Sequence, residues 1–397
     1  MERKRIVIVG TNFAGYTAAL ELKELVGDNH DLTVIANTSR FLFFPSLIWY
    51  PFGLRQERDI TFDVLPVYRS HRIEFIEAEV TGFEPDQSRV LLRGGAAISY
   101  DYLLIATGPK VDYDYIPGLR EHAHSIVGLG PAERAREGWS RLLADPGPVV
   151  VAAAQGAACF GAAYEFLFNA RYQLARHKLQ DRAPLTYLTA EPFAAHFGIG
   201  GFGSAQKMCE WLFSHYQIDA RYSAVIKEVR EGGVLLDSGD FFPSKFTLVM
   251  PRFLGIDAVR NTPELGNASG FIEVDPAYQH RLFRNIFAAG VAVAVKPPEE
   301  TPVPCGVPKT GYPSEQMAKA AARNIVADIK GLPKQHLLFQ DMAAYCIMDT
   351  GNMGMVIVGD HMLSPREHEF ILPGPEAHWA KVAFEKYFLW SRRHAHV

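Results

Sequence analysis

Ile6-Val7-Ile8-Val9-Gly10-Thr11-Asn12-Phe13-Ala14-Gly15 decides the fold: an apolar run, a glycine, a short turn, and a second glycine leading into Tyr16 to Leu25. Four consecutive apolar residues suit a strand buried on both faces, the condition of a central parallel strand. Leu32 to Ala36 supplies the next one, so strand, glycine turn, helix and strand form the opening βαβ unit of a doubly wound α/β sheet. Such a turn offers unpaired backbone N–H groups and the positive end of a helix to a pyrophosphate. The candidate contacts are Gly10, Asn12, Ala14 and Gly15. Asn12 stands where the middle glycine of a dinucleotide motif is usual, and Asn37 follows the second strand where a ribose-binding acid is usual. Taken alone, the motif also fits a tight turn in a nonbinding α/β protein.

Working outward, Tyr102-Leu103-Leu104-Ile105-Ala106-Thr107-Gly108 and Asn285-Ile286-Phe287-Ala288-Ala289-Gly290 are two more short apolar strands that end in small residues. Small residues there let the backbone approach a ligand at the carboxyl end of the sheet. Tyr312-Pro313-Ser314-Glu315 signals a helix start, an alanine-rich stretch runs to Ile329, and Gly331 closes it. Glu74 to Glu79 followed by Val90 to Leu92 reads as hairpin-like. Between these halves, Pro148 to Ala154, a turn through Cys159 to Gly161, and Leu185 to Thr189 repeat the strand, turn, helix, strand pattern. The second unit is inserted into the first, and Cys159 takes the last glycine position of its turn.

The 397 residues, 48% of them hydrophobic, exceed a single core, since cores stop growing at roughly 250–300 residues. A formal charge of −4 without a Lys/Arg run excludes a basic nucleic-acid surface. Cys159, Cys209, Cys305 and Cys346 are widely spaced, which indicates neither zinc nor a disulfide scaffold, and no metal is expected; His368, His394 and His396 read as solvated surface residues. The basic start runs directly into the first strand, so no signal peptide is expected, and Val149 to Phe168 is too interrupted for a transmembrane helix. Phe384 to Arg393 mixes aromatic anchors with terminal arginines, as an interfacial segment does.

Several stretches resemble one family. They are Tyr102 to Lys110, Ala158-Cys159-Phe160-Gly161 with Tyr164-Glu165, Ile286 to Gly290, Thr301 to Pro304 with Pro308-Lys309-Thr310-Gly311-Tyr312, and Ala380 to Phe388. Over approximately residues 5 to 388 the chain resembles sulfide:quinone oxidoreductases, in the group that includes flavocytochrome c sulfide dehydrogenase and type II NADH dehydrogenases. The resemblance implies a glutathione-reductase-like flavoprotein: two Rossmann-like dinucleotide-binding domains with a C-terminal membrane and quinone-side segment. It implies an FAD domain of residues 1–115 and 250–325, a second Rossmann-like domain of 116–249 carrying a redox cysteine, and a C-terminal region of 326–397 with the other.

It further implies that sulfide attacks a disulfide or persulfide formed by Cys159 and Cys346, and that two electrons pass through FAD to a quinone. Glu165 is the implied proton acceptor. Ala106, Thr107, Gly108, Gly290, Lys309, Thr310 and Gly311 join the cofactor contacts, with Lys309 offsetting charge on the reduced flavin. Phe384, Tyr387, Phe388, Lys381 and His196 are the implied quinone-side residues. The helix beginning beside Cys159 is expected to lower the pKa of its thiol.

Departures bear on these implications. Val127 stands where many relatives carry a third cysteine, so FAD is expected to be bound without a covalent thioether. Cys305 reads as a rigid loop thiol and Cys209 as helix core. Membrane attachment is expected to be peripheral, on the cytoplasmic side, and either weak or shared within a homo-oligomer. The competing readings are a type II NADH:quinone dehydrogenase, with Glu191 placed to bind a ribose; a flavocytochrome c-type flavin subunit; and a redox-sensing protein without turnover.

Overall fold

The computed structural model describes residues 2–397. Along the chain the elements that build the site begin with β1 (Arg5–Val9), α1 (Phe13–Val26), β2 (Asp31–Ala36), β3 (Glu74–Glu77) and β4 (Tyr102–Ile105). They continue with β5 (Val149–Ala153), α2 (Phe160–Arg176), β6 (Leu185–Thr189), β7 (Asp219–Arg221), β8 (Phe246–Met250) and β9 (Ile286–Ala288). The last are α3 (Gly311–Lys330), β10 (Ala344–Asp349), β11 (Gly354–Gly359), β12 (Glu369–Gly374) and α4 (Pro375–Arg393).

Two parallel sheets carry the architecture. The first has the order β9-β4-β1-β2-β3 and the second β7-β6-β5-β8. Ile6, Ile8, Leu103 to Ile105 and the whole of β5 are buried, as strands covered by helices on both faces must be. In the first sheet the carboxyl ends of β1, β4 and β9 lie side by side, because Val9 pairs with Ile105 and Ile105 with Ala288. Helix α3 packs along α1, and Gly331 ends it in the left-handed conformation at φ 64°.

A third, antiparallel sheet, β10-β11-β12, carries Cys346 on its first strand. Helix α4 packs back onto it and onto the first domain: the Tyr16 hydroxyl donates to the Arg392 carbonyl at 2.5 Å, and Arg392 pairs with Glu315 at 2.6 Å.

The hairpin expected from Glu74 to Leu92 is not formed. Glu74–Glu77 instead pairs in parallel with Thr33 to Ala36, and Arg89–Leu92 pairs with Val80–Glu84 in a separate antiparallel sheet. Alternation of side chains is the same in both arrangements, so the local pattern does not distinguish a hairpin partner from a sheet edge brought up by α1.

Candidate active site

The glycine turn is built for close backbone approach. Gly10 takes φ +111°, and a Cβ there would stand 2.3 Å from the Ala106 carbonyl oxygen; one on Gly15 would stand 2.0 Å from the Gly10 oxygen. Asn12 is the N-cap of α1, its side-chain oxygen accepting from Phe13 N at 2.8 Å, which leaves following first-turn amides facing the end of the sheet. Thr11 and Tyr68 hydroxyls meet at 2.7 Å and hold the turn from below. Asn37 is exposed just beyond β2, while Ala106, Thr107 and Gly108 follow β4. Gly290 ends β9, and Thr310 caps α3. Two helix N-termini and three strand ends therefore face one cleft, an arrangement that fits the diphosphate and extended shape of a dinucleotide.

Cys159 is the N-cap residue of α2 and Cys346 stands in β10; both thiols are free. The anticipated lowering of the Cys159 pKa does not occur. Burial pushes its thiol up to about 11, with Lys309 pulling the other way; loss of hydration outweighs the nearby cation. Cys346 keeps open surface, yet it lies deep enough that burial, reinforced by Glu165 and opposed by Lys381, pushes it up to about 12. Tyr345, next to it, meets the ring of Tyr312 edge-on at 5.1 Å, which brings β10 beside the start of α3.

Glu165 lies six residues into α2 and is buried. Its Oε1 accepts from the Asp349 amide at 2.6 Å and from Lys381. Burial raises its pKa, which Lys381 counteracts. Lys381 is thus placed with Glu165 rather than among the exposed aromatic rings of α4. Those rings also divide. Phe384 (44% exposed) and Tyr387 (65%) face outward, whereas Phe388 is buried against Phe13, Phe41 and Phe43 at ring distances of 5.3, 6.0 and 4.9 Å. Through Phe13 the end of α4 touches the glycine turn itself.

Lys309 is buried, donating to the Val291 and Val293 carbonyls at 3.0 and 2.5 Å with its ammonium 4.1 Å from the Phe271 ring centroid. Burial lowers its pKa to about 7. Two of its three N–H groups are thereby used. His196, expected on the quinone side, is 1% exposed in a loop of the second domain. There its Nδ1 accepts from the Gly198 amide at 3.2 Å and its Nε2 donates to Glu299 at 2.9 Å.

The second glycine turn is closed by the chain's own backbone. Gly156 N donates to the Pro304 carbonyl at 2.6 Å and Gly306 N to the Ala157 carbonyl at 2.8 Å, so the segment around Cys305 lies across the amides that would hold a pyrophosphate. Cys305 itself is buried, its Sγ 3.6 Å from the Val303 carbonyl oxygen. Glu191, expected to be free for a ribose, is fully enclosed. Its carboxylate accepts from Tyr164, Tyr187 and Thr189 hydroxyls and the Phe197 amide at 2.9, 3.3, 2.8 and 2.7 Å. Cys209 is buried on its helix as expected, although Trp211 on the same helix is 63% exposed.

Sequence reasoning passed over Asp349, His378, Trp49, Arg55 and Glu385, which surround the Glu165–Lys381 pair. The available signal was the spacing of His378, Lys381 and Glu385 at i, i+3 and i+7, a charged stripe down one face of a helix.

Residues 4–157 match the family model described as pyridine nucleotide-disulphide oxidoreductase. The chain is 36% identical to the sulfide-quinone reductase of Aquifex aeolicus, over 99% of this chain and 92% of that protein. The crystal structure of the sulfide:quinone oxidoreductase from the same organism superposes with a TM-score of 0.95 over 99% of this chain and 92% of that one. A mitochondrial sulfide:quinone oxidoreductase of Dictyostelium discoideum is 23% identical over 84% of this chain and 72% of its own length. NDH2 from Plasmodium falciparum in complex with NADH shares the fold at 13% identity and a TM-score of 0.76, covering 100% of this chain and 97% of that one.

Proposed function

The chain belongs to the sulfide:quinone oxidoreductase family, within the pyridine nucleotide-disulphide oxidoreductases, and on that premise we propose how its own residues carry the reaction. It is a flavoenzyme that oxidises sulfide and reduces quinone. FAD, the cofactor the family implies, supplies a two-electron acceptor on one side and donor on the other. Gly10, Asn12, Ala14 and Gly15 would hold its diphosphate, Asn37 its ribose, and Ala106 to Gly108, Gly290, Lys309, Thr310 and Gly311 the remainder. No thiol is present at Val127, which supports non-covalent binding.

Cys159 and Cys346 form the sulfur relay. Oxidised as a disulfide or persulfide bridge, they accept attack by HS⁻ at one sulfur; that S–S bond breaks as the new one forms, and the displaced thiolate carries the electron pair onward. Lys309 stands near Cys159, where a cation favours the thiolate. Glu165 lies near Cys346 with its affinity for protons raised, as a proton acceptor requires. Phe384, Tyr387 and Phe388 line the quinone side, with Lys381 acting from behind Glu165; His196 is retained only as a loop-positioning residue. The exposed Trp379, Tyr387 and Trp390 of α4, with Phe370 and Leu372 of β12, support a peripheral membrane face. No helix among the described residues is long and apolar enough to cross a membrane.

The observation that carries this reading is the placement of Cys346 beside the Glu165–Lys381 pair and of Cys159 beside Lys309, next to a dinucleotide cradle. The closed second turn and the enclosed Glu191 speak against NADH as donor. The test is decylubiquinone reduction by the purified protein with sulfide or NADH, in wild type, Cys159→Ala and Cys346→Ala. Sulfide-dependent turnover is expected and should vanish in both variants. Turnover with NADH alone, indifferent to both changes, would overturn the relay.

A further inference from the structure

Helix α4 buries an ionisable stripe. His378, Lys381 and Glu385 lie on one face, and each meets a partner from another element. His378 Nδ1 is 2.6 Å from Asp349 Oδ1, at the end of β10. The Trp49 indole donates to Asp349 Oδ2 at 2.7 Å, while the Asp349 amide donates to Glu165, the partner of Lys381. Glu385 accepts from Arg55 at 2.7 Å and from Ser46 at 2.5 Å. The Arg55 guanidinium and the Lys381 ammonium are 4.4 and 5.5 Å from the Trp49 ring centroid.

The cations of this cluster are unevenly distributed over its carboxylates. Glu165 pairs with Lys381, and Glu385 with Arg55 and, at 3.0 Å, with the exposed Lys386, whereas Asp349 has no Lys or Arg partner and meets only His378. In a low-dielectric interior an uncompensated charge is costly, so a proton shared with His378 belongs to the enclosed Asp349 carboxyl. The candidates for carrying it differ in access to solvent. The side chains of Asp349 and Glu385 are 0% exposed, Lys381 6%, Glu165 10% and Arg55 16%, against 22% for His378. His378 is also the one member of a residue type that ordinarily changes charge near neutral pH. The charged groups of the cluster around it are Asp349 from β10, Glu165 from α2, Arg55 from the segment after Phe44, and Lys381, Glu385 and Lys386 from its own helix.

We propose that the His378–Asp349 pair loads the protons that quinone reduction consumes, taking them from solvent and delivering them to the Glu165–Lys381 pair behind the quinone side. The inference rests on the sulfide:quinone reading above. Each quinone takes up two electrons, supplied by sulfide oxidation, and two protons to become quinol. The His378 imidazolium gives a proton to Asp349 and regains one from water. The Asp349 amide donates to Glu165 Oε1 at 2.6 Å, so the Asp349 side chain springs from a backbone already bonded to Glu165 and would pass the proton by turning toward it. His378 is a positioning and proton-supplying residue, since it acts on the reacting atoms through others.

The two half-reactions separate this role from a structural one. In stopped-flow experiments on the full-length FAD holoenzyme, His378→Gln should be bleached by sulfide at a rate within about twofold of wild type. Reoxidation by decylubiquinone should slow by roughly 10- to 100-fold at neutral pH. Added imidazole should restore part of that rate, and the quinone step should depend less on pH than in wild type. Equal slowing of both half-reactions without imidazole rescue, or an unaltered quinone step, overturns the proposal. Should His378→Gln fail to retain FAD, the solvent deuterium isotope effect on wild-type reoxidation decides: a clear effect is expected, and its absence overturns the proposal. A wild-type holoenzyme that sulfide does not bleach sinks the sulfide:quinone reading itself, and this inference with it.

Discussion

Glu191 shows what a single buried carboxyl costs. Four donors favour its ionised form, yet burial outweighs them and raises its pKa from 4.5 to about 7. The folded protein therefore binds this proton more tightly than the unfolded chain does. The stability it contributes is complete below about pH 4.5 and is lost as pH rises through about 7, by on the order of 3 kcal/mol. Thermal denaturation across that window should show wild type losing stability relative to Glu191→Gln, whose side chain has no proton to lose. Parallel curves would mean that the tyrosine and threonine hydroxyls fully satisfy the carboxylate. The same residue was legible in the sequence as a candidate ribose ligand by its place after a strand. Its sealing by Tyr164, Tyr187 and Phe197 was not legible, because those donors come from a helix, a strand and a loop that meet only in the fold.

At the scale of elements, α4 joins the parts. Its Lys381 is buried on Glu165 of α2, so removing one partner leaves the other uncompensated. Lys381→Met should destabilise the protein by about 3–5 kcal/mol, and the double change Lys381→Met with Glu165→Gln by clearly less. The deficit of the single variant should also grow as pH rises, since a carboxyl whose folded pKa is raised loses stability on ionising. Urea denaturation of both variants at two pH values measures the two effects together. Equal losses, flat with pH, would show that the pair carries no net electrostatic weight. The aromatic spacing of α4 was visible along the sequence, and so was its charged stripe. Which ring faces out and which cation turns in was not, since helical periodicity assigns a face without naming what covers it.

For the whole molecule, the two halves of α4 and the edge strand β12 have separate tasks. Phe388 seals the first domain beside the glycine turn, while Trp379, Tyr387 and Trp390 remain outside with Phe370 and Leu372. Replacing Tyr387 and Trp390 by serine should leave thermal stability within about 1 kcal/mol while reducing co-sedimentation with anionic phospholipid vesicles several-fold. Phe388→Ala should do the opposite, costing about 3–5 kcal/mol with vesicle affinity per folded molecule preserved. Vesicle binding untouched by the double serine variant would overturn the proposed membrane face.

The division between sequence and fold follows from the range of the forces. The strand-turn-helix of Val9 to Gly15, the strand ends at Ala106 and Gly290, and the helix closed by Gly331 are set by steric limits, short-range hydrogen bonds and apolar periodicity within a few residues. They were readable directly, as was the resemblance that named the cysteines. Tertiary structure alone decided that Glu74–Glu77 joins the parallel sheet, that the segment around Pro304 closes the second turn, and that Glu165 finds Lys381 216 residues away. It also decided that burial, rather than the end of α2, governs the Cys159 thiol. A buried polar group takes its partner from whatever the packed core brings within hydrogen-bonding distance, and that choice is made across the chain, where local pattern carries no information.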